Sequence, residues 1–265
     1  PVGVFMSDID LLTKGFSFDS DQGMFGWSSV SLIKSGNTNV LIDTGPASRR
    51  KLLIDTLADK NLDPSDIDIV ILTHMHWDHC QNTDLFTSSS IVIHSHEIDY
   101  MKNPTSGDLM VASYLTDMMG KLNLNPVNDG DVITDGIQVM STPGHTKGHM
   151  SVLIESHDGL KTIAGDALPD GGTIVRGLPY NIFWDENDAR DSLEKMIAKS
   201  DIFYPGHDTP FQLKNDEIVY LDDPTTINIV GNSEAGKNPL INYQVLDKRK
   251  VNVNTFQNRK NPYTC

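Results

Sequence analysis

Short apolar runs recur along the first part of the chain, and polar turns separate them. Residues 28–33 alternate roughly between polar and apolar, and 40–42 are apolar, with the turn residues 35–37 between them. This pattern is typical of a β-hairpin, and its second strand ends at Asp43. Residues 46–60 instead carry apolar side chains at helical spacing, so the order begins with strand, strand and helix.

The same reasoning predicts the elements that follow. Apolar runs at 67–72 and 91–94 predict two further strands. Residues 96–102 and 108–122 predict helices, which together form a helical insert at about 96–125. Beyond the insert the pattern predicts hairpins at 132–140 and 150–164, a long loop, a helix at about 188–199 and a strand at 202–204.

At 265 residues the chain is long enough to bury a sizeable core. Both halves follow a plan of strands and then a helix, which suggests a pseudo-symmetric sandwich with its site at the junction. We expect a single domain over 1–265, with a peripheral C-terminal extension at about 212–265 that is rich in Asn, Asp and Lys. The insert and this extension are the candidate surfaces for a homo-oligomer or a partner subunit.

The formal net charge of -15 limits the expected partners. Such a field repels phosphate backbones and anionic membrane surfaces, so we expect a small-molecule substrate rather than nucleic acid or a membrane. Cys80 and Cys265 are the two cysteines, which is too few for a disulfide framework. No apolar run reaches the roughly 20 residues that span a bilayer, and no signal-like segment begins the sequence. We therefore expect a cytoplasmic protein.

Residues with metal-ligand chemistry follow several predicted strands. The densest group is THMHWDHC at 73–80, and a further His or Asp follows each of three later strands. Neutral imidazole and carboxylate are the ligands that borderline divalent metals prefer. Seven ligands with one shared carboxylate suit two ions. The seven candidates are His74, His76, Asp78, His79, His145, Asp166 and His207.

Five motifs, in their order and spacing, resemble those of the metallo-β-lactamase superfamily. The resemblance covers about residues 28–210 and implies an α/β fold, an αββα sandwich of two mixed β-sheets between helices. Within the superfamily the chain looks most like the N-acyl homoserine lactonase-like branch, because it has an upstream Met-Phe-Gly-Trp segment, an aromatic residue in the histidine loop and a helical insert. The motifs are LIDTG at 41–45, HMHWDH at 74–79, TPGHT at 142–146, GD at 165–166 and PGH at 205–207.

The resemblance also implies roles for single residues. Asp43 would orient the histidine loop from behind, and His149 has either a similar role or a plain structural one. We interpret the remaining histidines, 94, 96 and 157, as ordinary polar residues. We expect two divalent ions, zinc ahead of manganese or iron, since all three suit a mixed His and Asp set. By resemblance, His74, His76 and His145 hold one ion, Asp78, His79 and His207 hold the other, and Asp166 bridges them.

Two ions that share a water lower its pKa to about 7, so a metal-bridging hydroxide can attack an electrophile. Asp78 and Asp166 are the catalytic candidates, with Asp166 placed to accept or relay a proton. Such hydrolysis needs no protein nucleophile, so Cys80 is interpreted as a buried neighbour of His79. The predicted substrate is a small, partly hydrophobic ester or lactone. The candidate pocket residues are Met24, Phe25, Trp27, Met75, Trp77, Tyr114, Met118, Tyr180, Phe183 and Trp184.

One position departs from the lactonase branch. Lactonases of that kind usually carry a tyrosine three residues after the bridging aspartate, and here that position is Pro169, with Tyr180 as a candidate replacement. Other functions of the superfamily stay open: a phosphodiesterase or nuclease, a glyoxalase II-like thioesterase, or a non-catalytic binding subunit. The acidic charge counts against the first, the lack of a basic C-terminal cluster against the second, and the intact ligand set against the third.

Overall fold

A computed structural model describes residues 8–20, 23–215 and 217–228 of the chain. The first half of the chain forms a mixed β-sheet and the helices that cover it. The strands are β1 (Ile9–Thr13), β2 (Asp19–Ser20), β3 (Gly23–Met24), β4 (Val30–Ser35), β5 (Thr38–Ile42), β6 (Ile69–Ile71), β7 (Ser90–His94) and β8 (Asn123–Val127). The helices are α1 (Arg50–Ala58), α2 (Trp77–Cys80), α3 (Ser95–Lys102) and α4 (Ser113–Met119).

The first sheet has the strand order β1-β4-β5-β6-β7-β8, while β2 and β3 form a separate small hairpin. β1, β4 and β5 are antiparallel neighbours, and β5 to β8 run parallel. Parallel neighbours need crossover connections, which here contain the four helices. Since parallel strands end at the same edge of a sheet, β5 and β6 bring Asp43 beside the histidine motif, and the Asp43 amide donates to the carbonyl of Ile71.

The second half forms the other mixed sheet, in the order β15-β14-β13-β12-β11-β10-β9. In it β12 and β13 are parallel, and the other described neighbours are antiparallel. Its strands are β9 (Val132–Thr134), β10 (Ile137–Ser141), β11 (Met150–Ser156), β12 (Gly159–Gly165), β13 (Ile202–Pro205), β14 (Phe211–Lys214) and β15 (Glu217–Tyr220), and its helices are α5 (Gly172–Arg176) and α6 (Glu186–Ile197).

Buried apolar side chains divide into three layers. The middle layer lies between the sheets and contains Ile33 and Val40 from the first sheet and Val152 from the second. Because side chains alternate along a strand, Leu32 and Leu41 point the other way, into the layer beneath α1, α3 and α4. A third layer packs α6 against the outer face of the second sheet. Two mixed sheets between helices confirm the predicted α/β sandwich.

The insert differs from the prediction in one respect. Residues 108–112 are not helical, although the apolar spacing predicted a helix from 108. The Asp108 carboxylate accepts a hydrogen bond from the Met110 amide at 3.0 Å, and such local side-chain bonds compete with helix formation. The helix therefore starts later, at Ser113, and the insert ends in β8, which joins the first sheet.

Part of the expected C-terminal extension belongs to a sheet. β14 and β15 form the edge of the second sheet, where we expected a peripheral segment from about residue 212. The chain separates into compact units of residues 1–224 and 225–265, and the structure describes only 225–228 of the second. The strand-like piece predicted at 241–246 lies outside the described residues. The single domain, the cytoplasmic location and self-association stay predictions.

No helix in the described ranges is both long and apolar enough to cross a membrane.

Candidate metal centre

The histidine motif changes backbone conformation in its middle. Before α2 the backbone is not helical, and the rings of His74 and His76 lie nearly perpendicular to each other with their centroids 4.5 Å apart. Met75, between them, points the opposite way and is fully buried in the core. α2 then turns the chain, which brings Asp78 and His79 around to a second point. One short segment therefore serves two neighbouring positions.

The other three candidates follow strands of the second sheet. His145 lies in the loop between β10 and β11, Asp166 follows β12, and His207 follows β13. Because β12 and β13 are parallel, their ends bring Asp166 and His207 together. Gly206 makes this approach possible, since a Cβ at that position would lie 2.2 Å from Asp166 Oδ1.

All seven candidate ligands meet in one buried cluster, and none is more than 9% exposed. Asp166 lies at its centre: Oδ1 is 3.3 Å from His79 Nε2 and 3.2 Å from His207 Nε2, and Oδ2 is 3.5 Å from His145 Nε2. Asp78 Oδ2 is 3.4 Å from His207 Nε2. Three groups have their ligand atoms within 4.8 Å of one another: His74, His76 and His145; His74, His79 and Asp166; and Asp78, His79 and His207.

The hydrogen bonds of His76 and His145 fix which ring nitrogen carries the proton. His76 Nε2 lies 3.0 Å from the Asp108 carboxylate, and His145 Nδ1 lies 2.7 Å from the Asn181 carbonyl. Both partners only accept, so these nitrogens carry the hydrogens. In the neutral rings His76 Nδ1 and His145 Nε2 then hold lone pairs, and these two atoms are 2.9 Å apart. Two converging lone pairs repel each other unless a cation lies between or beside them.

His79 and His207 show the same arrangement at the second point. His79 Nδ1 lies 2.7 Å from the Asp43 carboxylate, and His207 Nδ1 lies 2.9 Å from the carbonyl of Trp27. In its neutral form each ring therefore points an Nε2 lone pair into the cluster, and the two Nε2 atoms are 3.4 Å apart. His74 Nε2 is buried as well and has no hydrogen-bond partner within the described part of the chain.

Electrostatics also favour a cation here. Burial and neighbouring histidines lower the pKa of His74 well below its usual value, and burial lowers that of His145 to about 3. Burial lowers the pKa of His79 too, but the carboxylates of Asp166 and Asp43 outweigh it and raise the pKa well above its usual value. Burial opposes protonation of His207 as well, yet Asp166 raises its pKa. The cluster thus stabilises positive charge near Asp166, which divalent ions would supply.

Asp43 and His149 support the ligands from behind. Asp43 has a left-handed backbone (φ 57°), and its carboxylate accepts from the Thr73 amide as well as from His79. His149 Nε2 accepts from the Asp166 amide at 2.9 Å, while its Nδ1 lies 2.9 Å from Thr142 Oγ1. Asp43 thereby fixes the ring of His79, and His149 fixes the backbone of Asp166.

The sequence reasoning missed Glu97, which is fully buried in α3. Its carboxylate accepts hydrogen bonds from the Met75 amide at 2.9 Å, from Thr146 Oγ1 at 2.8 Å and from the Gly148 amide at 3.0 Å. A Cβ on Gly148 would lie 2.0 Å from the Glu97 nitrogen, so glycine permits this close approach. Glu97 therefore ties the histidine loop to the loop of His145. Asp108, the partner of His76, was missed in the same way.

A cleft with about 420 Å³ of empty space, part of it open to solvent, leads to the cluster. Of the predicted pocket residues, four line it: Met24, Trp77, Tyr180 and Phe183. Phe183 also packs edge-on against the rings of His76 and His145. Further lining residues that the sequence reasoning missed include Phe18, Asp19, Met110 and Asn181.

The other predicted pocket residues lie elsewhere. Met75 is in the core because its neighbours on both sides face the site. Trp27 acts through its carbonyl, while its ring packs under Arg49 at 4.2 Å. The remaining four, Phe25, Tyr114, Met118 and Trp184, are not among the lining residues: Met118 packs against the helix-covered core, and the other three are exposed.

The remaining histidines and Cys80 lie outside the cluster. His94 Nε2 is 2.7 Å from Ser141 Oγ and His94 Nδ1 accepts from the amide of residue 96. Cys80 is buried, and its thiol donates to the carbonyl of Met75 at 3.6 Å. Burial raises the pKa of Cys80 well above its usual value, which disfavours the thiolate.

Comparisons with known proteins agree with this geometry. The family model described as the Metallo-beta-lactamase superfamily matches residues 25–207. Metallo-beta-lactamase domain-containing protein 1 of Xenopus laevis is 31% identical over 208 residues, which cover 77% of this chain and 81% of the relative.

Two solved structures share the fold. A B. thuringiensis AiiA variant with N-decanoyl-L-homoserine bound has a TM-score of 0.61 at 19% identity. The match covers 74% of this chain and 88% of the AiiA chain. AidC, described as a dizinc quorum-quenching lactonase in complex with a product, has a TM-score of 0.60 at 17% identity, covering 78% of this chain and 82% of its own.

Proposed function

Since this chain belongs to the metallo-β-lactamase superfamily, we propose that it is a dinuclear metal-dependent hydrolase of small, partly hydrophobic esters or lactones. One observation carries the dinuclear part of this proposal. Two separate pairs of imidazole nitrogens, at 2.9 and 3.4 Å, converge on one central carboxylate with their lone pairs facing inward. Each pair suits one ion, and the carboxylate of Asp166 lies within reach of both.

The ligand sets follow from these pairs. In this proposal Asp166 would be the ligand shared by both ions. His74, His76 and His145 would hold the first ion, and Asp78, His79 and His207 would hold the second. Zinc suits these donors best, although manganese and iron accept the same set. The dizinc content described for AidC, which shares the fold, supports zinc.

When bound, divalent ions would supply a water of lowered pKa and a Lewis acid for the substrate oxygen. The chain itself holds the groups around that chemistry. Asp166 Oδ1 lies 3.3 Å from His79 Nε2 and 3.2 Å from His207 Nε2, and Asp166 is the candidate to accept or relay a proton from the attacking water. Asp43 and His149 keep the ligands oriented, so little reorganisation is needed during the reaction.

The cleft wall supports an uncharged, partly apolar substrate. Met24, Met110 and Phe183 supply apolar surface, while Tyr180 supplies a hydroxyl. Burial, together with Asp166 and Asp170, raises the pKa of Tyr180 well above its usual value, so its hydroxyl keeps the proton and can donate. Tyr180 OH donates to Ser17 Oγ at 3.1 Å, and it would exchange this acceptor for the substrate carbonyl. We propose that Tyr180 polarises the carbonyl of the substrate. Pro169 cannot do so, because it has no side-chain donor.

A substrate panel with defined metals tests the function. The full-length protein is loaded separately with zinc, manganese or iron, its metal content is measured, and lactones, aryl esters, glutathione thioesters and bis-aryl phosphates are compared by kcat/KM. We expect close to two ions per chain and the highest kcat/KM for lactones or esters. If phosphodiesters or thioesters are turned over faster than lactones and esters, the proposed substrate class is wrong and the faster class takes its place. Full activity in protein shown to be free of metal would reject the metal-dependent mechanism.

A further inference from the structure

Asp108 lies in the insert, away from the sequence motifs, yet its carboxylate reaches the metal cluster. We propose that Asp108 is a positioning residue that holds the ring of His76 so that Nδ1, and not Nε2, faces the ions. This inference rests on the proposed metal site, because it gives Asp108 a role only through His76.

The contacts of Asp108 restrict the side chains of both Asp108 and His76. Oδ2 lies 3.0 Å from His76 Nε2 and accepts from Tyr100 OH at 2.7 Å, while Oδ1 accepts from the Met110 amide at 3.0 Å. Asp108 is 4% exposed and His76 is 2% exposed, so water cannot easily replace these bonds. Tyr100 OH and the Met110 amide both donate to Asp108, which suits an ionised carboxylate that also accepts from His76 Nε2.

The consequence for His76 follows from the chemistry of the imidazole ring. A neutral ring has one N–H, and a carboxylate at Nε2 draws it there. Nδ1 keeps its lone pair and lies 2.9 Å from His145 Nε2 inside the cluster. Phe183 packs against the edge of the His76 ring at 5.1 Å and limits its rotation. Without Asp108, His76 is free to carry its proton on Nδ1, which cannot bind a metal in that state.

The position of Asp108 also links the insert to the histidine loop. The Trp77 amide donates to the Met110 carbonyl at 3.1 Å, so the segment holding Asp108 is joined to the loop through main chain as well. Met110, two residues after Asp108, lines the cleft. The non-helical stretch 108–112 within the insert is therefore explained by a contact with the candidate metal site.

The experiment compares zinc affinity and ring protonation in full-length protein. Zinc is titrated against a chromophoric chelator in the wild type, Asp108→Ala and Asp108→Asn. We expect Asp108→Ala to bind one of the two ions about 10- to 100-fold more weakly, the usual effect of losing the partner of a ligating histidine. Asp108→Asn should lose less, because its amide oxygen can still accept from His76. In the zinc-loaded wild type, ¹⁵N spectra of the imidazole rings should show His76 protonated at Nε2 and not at Nδ1.

Asp170→Asn is the matched control. Asp170 is also a buried aspartate that accepts from an amide, a hydroxyl and a charged donor, in this case Thr173 and Arg176, and from none of the predicted ligands among the described residues. It should bind zinc like the wild type. Wild-type affinity in Asp108→Ala, or a proton on His76 Nδ1 in the wild type, would overturn the role of Asp108. If the wild type itself takes up no zinc, manganese or iron, the proposed function fails, and the ring spectra alone then decide whether Asp108 holds His76.

Discussion

The metal cluster and the wall of the cleft beside it are built in different ways. Several histidines of the cluster are oriented by an acceptor that binds the N–H of the ring nitrogen pointing away from the cluster. These acceptors include Asp43, Asp108 and the carbonyl of Asn181. The cleft wall instead comes from a two-stranded hairpin, the insert and the loop after α5, and Met24 on that wall is 46% exposed. The candidate metal ligands therefore lie at buried strand ends, whereas the proposed substrate-contacting surface lies on loops.

This contrast predicts a graded response to mutation. Changes in the cluster should alter metal content, stability and turnover together, because each ligand is buried and coupled to its neighbours. Changes on the wall should alter the choice of substrate and leave the metal content untouched.

Asp166→Ala should have the largest effect of the variants considered. Asp166 lies within 3.5 Å of His79, His145 and His207, so its loss removes the group shared by both halves of the cluster. We expect turnover to fall by more than about 100-fold, beyond the usual cost of losing an outer partner, and one of the two ions to be lost. Metal analysis and steady-state kinetics measure both. Asp158→Ala, on an exposed turn, is the control. Two retained ions with normal turnover would show that Asp166 is not a bridging ligand.

Metal removal should have the next largest effect. A chelator leaves the nitrogens of His76 and His145 facing each other at 2.9 Å with nothing to hold them together. The free energy of unfolding should fall by about 4 kcal/mol for each ion, or about 8 kcal/mol for two independent ions, relative to protein at a free zinc concentration near 1,000 times the dissociation constant. Thermal unfolding with and without chelator measures this, and added zinc should restore the original midpoint. An unchanged midpoint in demonstrably metal-free protein would contradict the site.

The sequence was enough to predict the cluster because each ligand follows a strand in a short, recognisable motif. The strand ends are fixed by β-pairing, which brings Asp166 and His207 together in one sheet, and His79 contacts both Asp43 and Asp166. Apolar periodicity predicted the order of strands and helices, whereas the resemblance to a known superfamily implied the αββα sandwich and the ligand sets.

The supporting residues and the cleft wall could not be predicted in this way. Asp108 and Glu97 lie in segments that read as ordinary helix, and their partners are set by how the insert folds over the histidine loop. Met75 was wrongly placed in the pocket because the alternation of the extended segment sends it into the core. Tyr114, predicted to face the cleft, is 53% exposed and bonds Gln81 instead. Loop conformation decides such positions, and local sequence does not encode it strongly.

Met24→Ala tests the wall and should have a moderate effect. Its side chain lines the cleft and is partly exposed, so its removal should raise KM for hydrophobic esters by about 5- to 10-fold, near the lower end for apolar groups in a pocket. Metal content and kcat should stay as in the wild type. Leu52→Ala, which removes an exposed apolar side chain on α1, is the control and should leave KM unchanged. A loss of metal in Met24→Ala would break the separation between cluster and wall.

Cys80→Ser should have the smallest effect on turnover, although it lies next to His79 in sequence. The thiol is fully buried, points to the carbonyl of Met75 and has a raised pKa, so it belongs to the supporting structure and not to the reacting groups. A serine hydroxyl can make the same hydrogen bond, and we expect a stability cost of about 1 kcal/mol with turnover within about twofold of the wild type. Cys80 should also resist thiol-modifying reagents in the native protein. A large loss of turnover with both ions retained would contradict this interpretation. It would mean that Cys80 takes part in the reaction although its thiol points away from the cluster.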